Sequence, residues 1–218
     1  MLKYTQIAID GPAAAGKSTI AKLMAEALGF VYIDTGAMYR AITWRAIDKG
    51  VDVNNEADVI NLLDDTTIVL QSNGDVLVND VIVTKKLRTQ EVTSQVSIIA
   101  TYKSVRDELK SRQKDLALTE NVIMDGRDIG TNVLPDADFK FFMIADARVR
   151  ASRRYKENLE RGVACDLDSL ELEIRKRDEM DANRIHSPLK QADDAILIDT
   201  STLSIHEVVD KMVGYVLK

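Results

Sequence analysis

Residues Gly11-Pro12-Ala13-Ala14-Ala15-Gly16-Lys17-Ser18 satisfy the pattern G-x-x-x-x-G-K-[ST] in full, and no other feature of the chain restricts its fold as tightly. The pattern has chemical meaning only where a strand hands over to a helix. Both flanks fit. Tyr4–Asp10 is a short apolar run that reads as a buried parallel strand. Ser18–Leu28 spaces Ile20, Leu23, Met24, Ala27 and Leu28 along one helical face, and Gly29 follows as a stop. In such a loop, glycines and small alanines let successive backbone N–H groups turn inward around phosphates, and the helix N-terminus adds partial positive charge. Lys17 is expected to reach the β- and γ-phosphates of ATP and the Ser18 hydroxyl to bind Mg2+, with Thr19 closing the loop.

The alternation continues beyond the loop. Phe30–Ile33 reads as a second strand, Gly36–Lys49 as a helix closed by Gly50, and Glu56–Leu63 as a short helix. Thr66–Gln71 and Val76–Val78 flank Ser72-Asn73-Gly74-Asp75, an Asn-Gly hairpin signal, and Val81–Thr84 adds a third short strand. Helical patterning returns from Glu91 to Leu118. Val122–Asp125 and Asp138–Ile144 read as core strands, Ala147–Glu160 as a charged helix, and Gly162–Asp168 as a loop. Ser169–Asn183 reads as a helix, Ala195–Ile198 as a fifth core strand, and Ser204–Leu217 as a closing helix with a Ser204/Glu207 capping box. The class is α/β: an open parallel five-stranded sheet of the P-loop NTPase type flanked by helices, with a small antiparallel meander insert and a helical lid. The expected division is a core of 1–34, 90–149 and 166–218, an acceptor-binding region of 35–89 with the meander at about 66–84, and a lid of 150–165.

Composition narrows the partners. The net charge of −6 argues against non-specific binding to nucleic acid, which needs a basic face. One cysteine, Cys165, permits no intrachain disulfide, and the two histidines, His186 and His206, lie outside every motif and read as structural or solvated. The N-terminal residues lack the apolar core and cleavage site of a signal peptide, and no apolar run approaches the roughly 20 residues of a membrane span. A cytoplasmic monomer is expected.

A phosphate loop alone does not separate kinases from switches. Asp34-Thr35-Gly36-Ala37-Met38-Tyr39-Arg40 follows the second strand and Asp125-Gly126-Arg127-Asp128 the third. Ligands of open parallel sheets sit at the carboxyl ends of the strands, so these segments and the loop aim at one crevice. Further arginines crowd the late helices. Arg148 and Arg161 read as part of a solvated face, whereas Arg150, Arg153, Arg154, Arg177 and Arg184 read as cations for a polyphosphate.

Taken together, IAIDGPAAAGKST, DTGAMYR, LRTQEVTSQVS, DGRDIGT, RDEMDANR and IDTSTLSIHEV resemble the bacterial cytidylate kinases, within the nucleoside monophosphate kinases, over essentially the whole chain. The meander insert also fits that subfamily. The resemblance implies that Arg40, Arg127 and Arg184 hold the acceptor phosphate, with Thr35, Gly36 and Tyr39 nearby. It implies that Ser97, Arg106 and Asp128 read cytosine, that Arg177 and Asp181 face the ribose, and that the arginines at 150–154 sit on a lid over ATP. Thr35 stands where some relatives carry Ser, and Ala14 and Ala15 where others carry Ser or Gly; loop size and hydroxyl are kept. The implied reaction is direct in-line transfer from ATP to CMP or dCMP, with no covalent intermediate and no general base. A P-loop kinase for UMP, AMP or shikimate remains open, as does a non-catalytic nucleotide-binding module. A GTPase or ATPase switch is a further alternative, although the chain lacks N/T-K-x-D and carries Asp125-Gly126-Arg127-Asp128 where a D-x-x-G switch would fall.

Overall fold

The computed structural model describes residues 4–71, 73–160 and 162–217; Ser72 and Arg161 therefore lie outside the described residues. Strand β1 (Gln6–Asp10) runs into the phosphate loop, which opens helix α1 (Lys17–Leu28). Then come β2 (Val31–Asp34), α2 (Thr35–Asp48) and α3 (Glu56–Asp64). The insert is formed by β3 (Ile68–Leu70), β4 (Val76–Val78) and β5 (Val81–Ile82), followed by a 3-10 turn at Lys86–Arg88. Helices α4 (Gln90–Ile99) and α5 (Lys103–Leu116) lead to β6 (Val122–Asp125), a π-helical turn at Ile129–Val133 and β7 (Phe139–Ile144). Helices α6 (Ala147–Glu160) and α7 (Leu167–Ala182), strand β8 (Ile196–Asp199) and helix α8 (Ile205–Val216) complete the chain.

The five core strands are parallel in the order β2-β6-β1-β7-β8. Strand β1 lies at the centre because Ile7, Ala8 and Ile9 are fully buried on both faces. Ile20, Ala21 and Met24 of α1 and Val208 and Met212 of α8 cover one face; Ile129, Val133 and Leu134 help to cover the other. The chain runs from β1 to edge strand β2, returns to β6 and then crosses past β1 to β7, so the direction of winding reverses about β1 and the crevice opens at its carboxyl end. Ser204 and Glu207 form the expected capping box, which contributes about 1 kcal/mol to the start of α8. No described helix is long and apolar enough to cross a membrane.

The structure refines these readings. The helical patterning over 91–118 resolves into two helices, broken between Ile99 and Lys103, and the break turns the Ala100 carbonyl to accept from Arg106 Nη1 at 3.1 Å. The hairpin signalled by Asn73-Gly74 forms between β3 and β4, and a second, two-residue turn falls at Asn79-Asp80. Those two residues have φ of 47° and 64° and separate the paired Val78 and Val81. The loop from β3 to β4 is longer, five residues between paired Leu70 and Val76. Ile99 of α4 and Val105 and Leu109 of α5 share a core with Met38, Ile42, Val59 and Leu63 of α2 and α3.

Candidate active site

The loop begins with a close approach. Gly11 has φ of 149°, and a Cβ there would lie 2.1 Å from the Met143 carbonyl oxygen, so only glycine lets the chain leave β1 beside β7. Lys17, buried at the first residue of α1, donates to the Pro12 carbonyl at 2.8 Å. Burial, then the nearby charge of Arg127, pushes the Lys17 ammonium below its ordinary range. A dianionic or trianionic group placed there reverses both penalties.

Across the crevice floor, the Ser18 hydroxyl donates to Asp125 Oδ2 at 3.0 Å and the Tyr32 hydroxyl to Asp125 Oδ1 at 2.7 Å. Burial, and then the charge of Asp34, raises the Asp125 carboxyl above the usual carboxylate range. The sequence reading missed Asp125 as a site residue. Its signal was positional: the last residue of an apolar core strand, at the edge where ligands sit. Asp125 and Ser18 offer hard oxygen ligands on one point of space, the donor type that Mg2+ takes with waters and substrate phosphates completing its shell. No cluster of three or more His, Cys, Asp or Glu able to hold a metal alone occurs among the described residues.

Asp10 was missed as well. Its carboxylate accepts from Ile129 N at 2.8 Å and Gly130 N at 2.7 Å, joining the end of β1 to the turn after Asp128. Burial raises its pKa to about 6.

A single cavity of about 700 Å³ runs from the loop to α4 and α5. Of the expected site residues, Ala14 to Thr19, Thr35, Gly36, Tyr39, Arg40, Ser97, Arg106, Arg127, Asp128, Arg153, Arg154, Arg177, Asp181 and Arg184 all line it; Gly11, Pro12, Ala13 and Arg150 do not. Ten cationic side chains face six acidic ones among its lining residues, in a chain whose net charge is −6. Arg40 carries the mark of that surplus: burial, then Arg177 and Arg88, disfavour its charge and bring it to about 9. Arg177 falls to about 10 through burial and Arg127. Arg88, not expected as a site residue, lines the rim and pairs with Asp34 at 3.7 Å.

At the acceptor end, Arg106 and Asp128 form a buried pair at 2.6 Å, their side chains only 4% and 7% exposed. The Tyr39 ring lies 5.5 Å from the Arg106 guanidinium and helps to hold it. Asp128 Oδ2 also accepts from Asn132 Nδ2 at 3.1 Å, while Oδ1 makes no hydrogen bond among the described residues. Arg106 Nε and Arg177 Nε are buried donors without a partner among the described residues. Unpartnered buried donors are costly and rare, which points to a bound molecule with acceptors.

Several expected residues already have partners within the protein. Thr35 Oγ1 donates to the Asp125 carbonyl at 2.7 Å, tying α2 to β6. Asp181 accepts from Arg127 Nε at 2.8 Å on one oxygen and from Arg184 on the other. Its burial alone would raise its pKa, but Arg127 and Arg184 outweigh this and bring it to about 2, so it orders the two arginines. The arginines expected on a lid, all on α6, separate into three kinds. Arg154 lines the cavity with only a loose 3.7 Å pair to Glu157. Arg153 lines it too but donates to Thr200. Arg150, expected at the phosphates, lies beneath the loop instead, donating to the Ala13 carbonyl at 2.8 Å and pairing with Asp178 at 2.6 Å.

A sequence model of the family described as Cytidylate kinase matches residues 7–218. A protein of Anoxybacillus flavithermus named cytidylate kinase is 52% identical over 97% of this chain and 96% of its own. One of the same name from Oceanobacillus iheyensis is 51% identical over 97% and 94%. Among solved structures, a gluconokinase from Sinorhizobium meliloti 1021 superposes with a TM-score of 0.52 at 14% identity, covering 98% of this chain and 92% of that one, a likeness of fold.

Proposed function

The chain belongs to the cytidylate kinase family, and from that premise we infer that its crevice transfers the γ-phosphoryl group of ATP to CMP and dCMP. The observation that carries the reading is the buried Arg106–Asp128 pair sharing one cavity with Lys17 and the phosphate loop. Cytosine presents an amino donor beside two acceptors. Asp128 Oδ1 can accept from the amino group, and Arg106 Nε and the Ser97 hydroxyl can donate to the acceptors. Uracil would place a carbonyl against the carboxylate and leave it unpaired, which is how a polar site rejects a near-isostere.

The acceptor phosphate sits among Arg40, Arg127 and Arg184, with Thr35, Gly36 and Tyr39 beside it, and Arg177 with Asp181 borders the sugar. The loop, Gly11 to Thr19, cradles the ATP phosphates and Lys17 reaches the β- and γ-oxygens. Ser18 and Asp125 would hold Mg2+, which would supply positive charge against the phosphates. An anionic oxygen of CMP attacks the γ-phosphorus in line as the bond to the β-bridging oxygen breaks, giving CDP and ADP. The attacking oxygen carries no proton, so the reaction needs no general base. What the protein supplies is position and fixed positive charge from Lys17, Arg127, Arg154 and Arg184. A lid over 150–165 closes to exclude water, with Arg154, the least tied of its arginines, reaching the transferring group. Such an enzyme serves pyrimidine nucleotide metabolism as a cytoplasmic monomer.

The test is ADP release from Mg·ATP with CMP, dCMP, UMP, AMP, GMP or shikimate, using Lys17→Ala as control. Turnover with CMP and dCMP well above UMP, and its loss in the variant, is expected. Preference for UMP or AMP would overturn the base reading, and equal ATP hydrolysis without any acceptor would overturn the kinase reading.

A further inference from the structure

Ala13 is a loop residue with no side-chain chemistry, yet both of its backbone polar groups are taken by one ion pair between buried Arg150 and half-buried Asp178. Asp178 Oδ1 accepts from Ala13 N at 3.0 Å, and Arg150 Nη1 donates to Ala13 O at 2.8 Å. The two side chains meet at 2.6 Å, and Arg150 Nε also donates to the Ala145 carbonyl just beyond β7 at 2.9 Å. The next residue adds an independent contact. Ala14 packs against the small core of the α6–α7 hairpin, Ala151, Leu170 and Ile174. Ala14 also has φ of 58°, a left-handed conformation that costs a non-glycine residue about 1 kcal/mol and persists only where its surroundings impose it. The crest of the loop is thus seated on the hairpin by a charged bracket on Ala13 and an apolar contact at Ala14.

We infer that Arg150 and Asp178 are positioning residues for the donor phosphates: acting as a unit, they fix the Ala13–Ala14 crest of the phosphate loop in its left-handed turn, so that the backbone N–H groups that follow point at ATP. Neither side chain touches substrate. This rests on the reading that the loop takes ATP. Helix α7 carries the bracket at Asp178 and, at Arg177 and Asp181, residues of the acceptor side. A bracket that merely braced α7 would therefore affect CMP as much as ATP.

Titration calorimetry of the full chain with the Mg2+ complex of a non-hydrolysable ATP analogue, and separately with CMP, distinguishes the two. The variants are Asp178→Asn, Arg150→Met, the double variant, and Lys17→Ala. Asp178→Asn keeps shape and an acceptor for Ala13 N while cancelling the ion pair. Each single variant is expected to weaken the ATP analogue by about tenfold to a hundredfold, the range for a lost charge-assisted hydrogen bond, and to raise KM for ATP by a similar factor. Affinity for CMP alone should stay within about twofold, and the double variant should bind the analogue within about twofold of the weaker single one, because the pair acts together. CMP binding also reports that each variant is folded. Equal weakening of both nucleotides, no weakening of either, or single effects that multiply in the double variant would each overturn the proposal. Unchanged analogue affinity in Lys17→Ala would instead overturn the reading of the loop itself.

Discussion

Ser18 and Asp125 meet at the crevice floor, the serine hydroxyl donating to Asp125 Oδ2 at 3.0 Å while Tyr32 takes the other oxygen. The pair joins the helix after β1 to the end of the neighbouring strand β6, and it sets a buried carboxylate close to Lys17. Asp125→Asn keeps the shape and removes the charge. The expected result is a fall in kcat of about 10²- to 10³-fold, the cost of removing one preorganised electrostatic group, with the Mg2+ concentration for half-maximal rate rising in parallel. Steady-state rates across an Mg2+ series check both; an unchanged metal dependence would mean that Asp125 serves only Ser18 and Tyr32.

Asp128 offers a sharper test of base reading, because its surroundings dictate how a substituted amide must sit. Arg106 and Asn132 both donate to Oδ2. In Asp128→Asn the amide oxygen has to face those donors, which turns the NH2 group toward the ligand. That NH2 meets the amino group of cytosine donor to donor but can donate to the O4 carbonyl of uracil. The kcat/KM for CMP should fall about tenfold to a hundredfold, and the ratio of UMP to CMP should rise by at least as much. A variant that loses both substrates equally would place the base elsewhere.

Much of this was legible in sequence, for identifiable reasons. The phosphate loop declares itself because Lys17 and Ser18 follow a fixed run of small residues, and the five core strands because parallel strands are apolar throughout. The sequence is silent where a specific side-chain interaction decides the local structure. The break before Lys103 is stabilised by Arg106 reaching back to Ala100, which helical periodicity does not register. Arg150 and Arg154 lie one helical turn apart and look alike in sequence. Only the fold shows that Arg150 pairs with Asp178 beneath the loop while Arg154 faces the cavity. Asp10 and Asp125 end apolar strands at the edge of motifs whose other residues draw attention away from them, and their partners lie between 93 and 120 positions away.

Gly126 follows Asp125 and has no room for a side chain. A Cβ there would lie 2.6 Å from Ile129 Cδ1 and 2.8 Å from Thr35 Oγ1. The crowding falls on the hydroxyl that donates to the Asp125 carbonyl and on the turn that carries Asp128. Gly126→Ala should therefore cost about 1 to 3 kcal/mol of stability, as overpacking usually does, and should lower activity beyond what that loss explains. Urea unfolding together with kcat/KM for CMP separates the two effects; full activity in a folded variant would show that the turn adjusts without consequence.

Asp10 makes a prediction about pH. Burial raises its pKa from 3.8 to about 6, even though the Ile129 and Gly130 amides oppose the shift. Folding thus favours the protonated form of this group. Its contribution to stability is complete below the unfolded value of 3.8 and is lost as pH rises through about 6. Asp10→Asn cannot titrate and, with one acceptor fewer for two amide donors, carries a penalty that does not vary with pH. The stability of the variant relative to the parent chain should therefore move in the variant's favour by on the order of 3 kcal/mol between about pH 4 and about pH 8, most of it before pH 7. Urea unfolding of both proteins across that range measures the difference directly. A difference that stays flat would mean that Asp10 is ionised throughout, held by the two amides and by Lys17, and that burial does not govern its charge.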